Sequence, residues 1–228
     1  MASGGCAWPD AARHHGTYGD RVLRYEGMHP ADAVSTLAEL HEAIGGCRLC
    51  PRMAPPPILW ALPGQRALIV GQAPGITEPK RGLPFAGAAG RTLIRWLAPL
   101  GVTSHDELLD RFAFAAVAKC YPGRHPGGRG DRAPDRFERA TCLPWTDALV
   151  RLLAPSLVVP IGRLAIEDFL GCGPSVPLSG LIGRSFPQAG RTVIPLPHPS
   201  GASSWTNGAA NRELVAAAVT LIVESFAA

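Results

Sequence analysis

The chain has 228 residues, 46% of them hydrophobic and 18% charged, with a formal net charge of +4. That is enough apolar material for a sizeable core, it excludes wholesale disorder, and the mildly basic balance allows an acidic partner without identifying one. No apolar run approaches the ~20 residues of a membrane helix, and the opening MASGGCAWPDAARHHG lacks the apolar stretch of a secretory signal, so a cytoplasmic protein without membrane attachment is expected.

In chain order, residues 1–27 are rich in Gly, His and Ala and show little periodicity. They are expected to form a flexible N-terminal extension to one domain over 28–228. From Pro30 onward, Val34, Leu37, Leu40 and Ile44 recur at steps of three and four, the spacing of a helix's buried face, and Gly45-Gly46 stop it. Cys47 and Cys50 follow as a C-x-x-C pair, and Pro55-Pro56-Pro57 imposes an extended linker. Four apolar runs of strand length come next: Ala67–Val70, Phe112–Ala118, Leu157–Val159 with Ile161, and Thr192–Ile194 with Leu196. None alternates with polar residues, the pattern of strands buried on both faces of a parallel sheet. Helical stretches cover Ala88–Leu100, about Asp135–Leu153, Leu164–Leu170 and Asn211–Phe226. The alternation predicts an α/β fold, three-layer α/β/α around a central, mainly parallel four-stranded sheet.

Ligands of such sheets bind beyond the carboxyl ends of the strands. The four strands run into Gly71-Gln72-Ala73-Pro74-Gly75, Lys119-Cys120-Tyr121-Pro122-Gly123, Gly162-Arg163 and Pro197-His198-Pro199-Ser200-Gly201, so the unusual residues collect on one rim. Glycine and proline there fix turns and bare backbone N–H groups that suit an anion or a base oxygen. Of six cysteines, Cys47, Cys50, Cys120 and Cys142 could meet as a four-thiolate site. The C-x-x-C pair alone leaves open a metal centre or a scatter of buried thiols. Cys6 and Cys172 have no assigned role.

Gly71-Gln72-Ala73-Pro74-Gly75, followed by Glu78, Gly82, Pro84-Phe85, Gly87 and Ala89-Gly90, resembles the first motif of the iron–sulfur uracil-DNA glycosylases, families 4 and 5 of that superfamily. His198-Pro199-Ser200 resembles the second motif, and Lys119-Cys120 and Cys142, with Cys47 and Cys50, match the family's cluster ligands. The resemblance runs from about Leu37 to the C-terminus. It implies a structural [4Fe–4S] cluster on those four cysteines. It also implies a monofunctional base-excision-repair glycosylase that excises uracil, and other deaminated or damaged bases, from single- or double-stranded DNA. The enzyme would leave an uncut abasic site and act as a monomer in a bacterial-type cytoplasm beside the nucleoid DNA.

Such an enzyme takes its base out of the stack. Phe85 then offers an aromatic face to the flipped base, or is ordinary core. His198, as a neutral donor, would stabilise the anion developing on uracil O2, or is a capping histidine. Backbone amides of Gln72 and Ala73 would bind the other base edges, and Ser200 would pin a DNA phosphate. Lys80 and Arg81 would face the DNA backbone or sit in solvent.

Three departures from the family pattern stand out. Gln72 stands where family 4 usually has Glu, and Ala73, as in families 4 and 5, offers no carboxylate in place of the Asp of the superfamily's best-known branch. Gln72 is therefore expected to orient the attacking water, with Glu78 the nearest acid, whose other reading is a loop salt bridge. Ala116 stands where the family usually has a uracil-reading Asn, so weak base discrimination is expected. The loop between Cys120 and Cys142 is long and carries Arg124, His125, Arg129, Asp131 and Arg132. It is either a solvated basic loop or a phosphate-contacting arm, and His125 resembles poorly a histidine that a related branch bonds to the abasic sugar. Trp205 is the only large apolar candidate for a wedge into the base stack, or it packs on the last helix. The competing functions are a non-catalytic or covalently trapping DNA-binding relative that recognises abasic or damaged DNA, and an iron–sulfur redox or sensor protein.

Overall fold

The computed structural model describes residues 28–128, 130–201 and 204–227. The expected extension over 1–27, with Cys6, lies outside the described residues. A 3-10 turn, Pro30–Ala33, precedes helix α1, Leu37–Gly45. The sequence spacing predicts one continuous helix here. The chain instead turns extended at Val34 and restarts where the Thr36 hydroxyl accepts the Glu39 N–H.

Five strands form one sheet: β1 Ala67–Gly71, β2 Ala113–Ala116, β3 Leu157–Pro160, β4 Phe186–Gln188 and β5 Arg191–Val193, in the order β2-β1-β3-β5-β4. β1, β2 and β3 are buried throughout, as their unbroken apolar runs require. The first four in that order are parallel. The expected count of four is thus corrected to five. β4 joins β5 antiparallel across the two-residue turn Ala189-Gly190, both with positive φ. Its Pro187 fits only a sheet edge. The opposite edge, β2, is covered by the proline-rich segment: Trp60 and Phe114 exchange backbone hydrogen bonds, and Ile58 N–H donates to Lys119 O.

Helices α2 Glu78–Arg81, α3 Ala88–Leu97 and α4 His105–Arg111 lie between β1 and β2, and α5 Arg136–Leu153 lies between β2 and β3. α6 Arg163–Leu170 and α7 Ala209–Ala227 complete the chain. The crossover from β1 to β2 moves one way along the sheet and that from β2 to β3 the other. With right-handed connections their helices fall on opposite faces, giving three α/β/α layers. Contacts agree: α3 packs with α4 and α7, while α1 packs on α5. α4 was not expected from the sequence; it is a short helix held by a Ser104–Glu107 capping box. Among the described residues no helix is long and apolar enough to cross a membrane.

Candidate functional site: a pocket at the strand ends and a four-cysteine cavity

Chain direction reverses beside β1, so a crevice opens at the carboxyl ends of β1 and β3. A cavity of about 610 Å³ occupies it. Gln72, Ala73, Glu78, Phe85, Ala116, His198 and Ser200 all border it, so the structure gathers the expected base and catalytic residues in one place.

Phe85 holds a left-handed backbone, φ 51°, a cost of order 1–3 kcal/mol that the surroundings must impose. Helix α3 imposes it from below, because Gly90 lets the Phe85 carbonyl come where any Cβ would clash, at 1.7 Å. The ring lies over Gly71 at the end of β1 and 5.6 Å, centroid to centroid, from Phe114. Phe85 therefore packs on the core with one side and borders the cavity with the other. Ala116 pairs with Gly71 and borders the cavity, and its side chain has no donor or acceptor.

His198 follows the last parallel segment, beside Gly162, whose missing side chain makes room for the ring. Ser200 N–H donates to His198 Nδ1 at 3.2 Å, and the Ser200 hydroxyl lies 2.9 Å from the same nitrogen. A backbone N–H can only donate, so Nδ1 keeps its lone pair and the ring's proton sits on Nε2. Burial holds the imidazole below its ordinary pKa, in the neutral form. Ser200, expected at a DNA phosphate, thus has a partner within the pocket and sets the tautomer of His198.

Glu78 opens α2, and its Oε1 accepts the Gly87 N–H at 3.1 Å, tying the two ends of the Phe85 loop together. No ion pair to Glu78 occurs among the described residues, so its bond is to backbone and the alternative reading of a loop salt bridge does not hold. Lys80 and Arg81 are exposed on α2. Arg124 is exposed on a small hairpin in which it pairs with Asp131. His125 is exposed and accepts the Gly127 N–H through Nδ1; it does not border the cavity. Arg129 lies outside the described residues. Trp205, for which the sequence leaves a wedge and packing on the last helix both open, does not border the cavity and packs half-buried against the core, beside α7. Sequence reasoning missed Asp131 and Ile76. Both border the cavity, and Ile76 is 42% exposed there. The signal for Ile76 was its place between Gly75 and Glu78, in a loop with no other large apolar residue.

A second cavity, of about 280 Å³, is bordered by all four expected ligands, Cys47, Cys50, Cys120 and Cys142. They come from the end of α1, the loop after β2, and α5. Burial first, then the neighbouring sulfurs, pushes Cys50 and Cys120 up to about 12 each. Four clustered sulfurs suit a cationic centre, which takes them as thiolates. Among the described residues no three His, Cys, Asp or Glu side chains stand as a ready-made site for a single metal ion. Lys119 is buried against this cavity; its Nζ donates to Cys142 O at 3.0 Å and to Thr146 Oγ1.

Fold and pocket define an α/β protein whose strand-end crevice is bordered by an aromatic ring and a neutral imidazole. The family model of the uracil DNA glycosylase superfamily matches residues 61–221, and the chain belongs to that superfamily. Among curated proteins it is similar to the type-4 uracil-DNA glycosylase of Pyrobaculum aerophilum, 34% identical over 139 residues, 59% of this chain and 64% of that protein. The type-4 enzyme of Thermotoga maritima is 31% identical over 136 residues, covering 59% and 65%. The type-5 enzyme of Mycobacterium tuberculosis is 27% identical over 197 residues, covering 72% and 69%. The chain thus spans somewhat under two thirds of the length of these type-4 relatives.

Proposed function

We propose that this protein is a monofunctional DNA glycosylase that flips uracil, and other deaminated bases, into the 610 Å³ pocket and hydrolyses the N-glycosidic bond. The observation that carries this reading is His198: neutral, with its proton on Nε2, and bordering the same pocket as the Phe85 ring. Base departure leaves negative charge on uracil N1 and O2. An Nε2–H donor on a residue that borders the pocket would stabilise that charge without reorganisation, and removing one such donor typically costs about 10²–10³-fold in rate. Phe85 stacks on the base, and the N–H groups of Gln72 and Ala73 face its other polar edges. The Gln72 amide orients the attacking water. With Ala116 bordering the pocket, nothing at that position demands the uracil N3–O4 pattern, so hypoxanthine, xanthine and etheno-cytosine are admitted as well.

The four cysteines would hold a [4Fe–4S] cluster, which when bound cross-links α1, the loop after β2 and α5. Exposed Lys80, Arg81 and Arg124 would meet DNA phosphates, and the protein would act as a monomer beside the nucleoid. Chromatography of free bases released from oligonucleotides carrying each lesion tests the reading. Release of uracil and at least one other base, with strands that break only after alkali, is expected. Release of none would overturn it, and strand breakage without alkali would overturn the monofunctional assignment.

A further inference from the structure

Resting on that glycosylase reading, we propose that Asp131, from the hairpin after β2, is the catalytic residue that takes the proton of the attacking water. The reaction needs a base near the sugar, and the first motif supplies none. Position 73 is Ala, and the neutral amide of Gln72 can orient a water but cannot accept its proton. Glu78 has one oxygen committed to the Gly87 N–H, which closes the Phe85 loop.

Asp131 comes from far along the chain and borders the same cavity. Its Oδ1 accepts the Tyr121 hydroxyl at 2.8 Å. Its Oδ2 lies 3.4 Å from the point where a Cβ on Gly75 would stand, and Glu78 Oε2 lies 3.0 Å from that point. The two carboxylates are therefore close neighbours across a glycine that leaves their gap open, directly after Ala73-Pro74. Asp131 is exposed at the mouth, where solvent water reaches it until DNA covers the pocket.

The hairpin is held firmly enough to aim a side chain. Arg124 and Asp131 pair across it, with His125 N–H donating to Gly130 O and Arg132 N–H to Gly123 O. The next residue, Arg132, makes two bonds of 2.7 and 2.6 Å to Glu138, which is 2% exposed in the first turn of α5, and a third to Arg52 O. In the step itself, the water oxygen bonds to C1′ as the C1′–N1 bond breaks. The electron pair goes to the base, where His198 Nε2–H meets it. The water's proton goes to Asp131 Oδ2.

The test uses the full, cluster-loaded chain and a single-stranded uracil oligonucleotide, comparing single-turnover excision with DNA binding by anisotropy. Asp131→Asn is expected to slow excision about 100-fold or more while the Kd stays within about threefold. Asp131→Glu is expected to recover part of the rate, and Glu78→Gln to lose less than Asp131→Asn. An Asp131→Asn rate within about threefold of wild type, or a loss matched by equally weakened binding, overturns the proposal. Tyr121→Phe keeps the carboxylate and removes only its tether, so it gives a second reading if Asp131→Asn folds poorly. A several-fold slower rate at unchanged Tm supports the role, and an unchanged rate opposes it. A wild-type protein that excises no base overturns the glycosylase reading itself, before any variant is compared.

Discussion

Gly90→Ala places a single methyl group where the pocket's aromatic wall is shaped. The new Cβ would stand 1.7 Å from the Phe85 carbonyl oxygen and 2.8 Å from its carbonyl carbon. Non-bonded heavy atoms settle at about 3.5 Å, so the Phe85 peptide has to retreat by more than ~1 Å. It has little freedom to do so, being already left-handed at φ 51° with its ring against Gly71 and Phe114. Overpacking of this kind costs about 1–3 kcal/mol, and each kcal/mol lowers the Tm of a chain this size by about 2–4 °C. A misplacement of ~1 Å at a stacking residue costs on the order of 100-fold in rate. Thermal melts and single-turnover excision of uracil read the two effects separately. Gly45→Ala serves as the control, since nothing lies within 4 Å of its added Cβ, and it is expected to change neither. A Gly90→Ala protein with wild-type Tm and rate would refute the claim that α3 sets the conformation of Phe85.

Three further outcomes follow from the same geometry. Burial lowers the His198 pKa, so the neutral ring, whose Nδ1 accepts the Ser200 N–H, persists as pH falls through the ordinary histidine value of about 6.5. Only lower does protonation of Nδ1 break that bond and the ring's orientation. The acid limb of the His198-dependent rate should therefore lie below that value, and a limb at or above it would contradict the assignment. Ala116→Asn restores an amide at the pocket beside Gly71; it should raise uracil excision relative to hypoxanthine and xanthine, and an unchanged base profile would show that this position does not read the base. The proposed cluster on Cys47, Cys50, Cys120 and Cys142 predicts that oxidative treatment bleaches a visible absorbance and lowers Tm, because those cysteines would no longer bind α1 and the loop to α5; no such absorbance would refute the cluster, and bleaching at constant Tm would deny it a structural part.

The pocket was legible in the sequence because its residues are fixed by local backbone needs. Gly71-Gln72-Ala73-Pro74-Gly75 ends a strand, Gly90 sits under Phe85, and His198 stands between prolines, so motif order and sheet direction together place them on one rim. The thiol cavity was legible only through the resemblance: the C-x-x-C pair alone left a metal centre or scattered thiols open, and the iron–sulfur glycosylase motifs singled out Cys47, Cys50, Cys120 and Cys142. What escaped depends on distant partners. Asp131 is held at the pocket by partners distant in sequence, Tyr121 and, through Arg132, Glu138, and no local pattern in a glycine-rich loop encodes that. Strand β4 is three residues with a central proline and gains its identity solely from pairing with β5. Trp205 read equally as a wedge or as packing on the last helix from its place after the second motif, and the structure takes the second course. The exposed apolar residue at the pocket is Ile76 instead.

The central claim is that Phe85 and His198 form one base-excising pocket. It is tested most directly by single-turnover release of uracil from single- and double-stranded oligonucleotides by wild type, Phe85→Ala and His198→Ala. The account predicts alkali-labile sites with wild type and a fall of about 10²-fold or more in each variant, with the cluster absorbance retained. Robust release by the His198→Ala protein, or no release by a folded, cluster-loaded wild type, would contradict it.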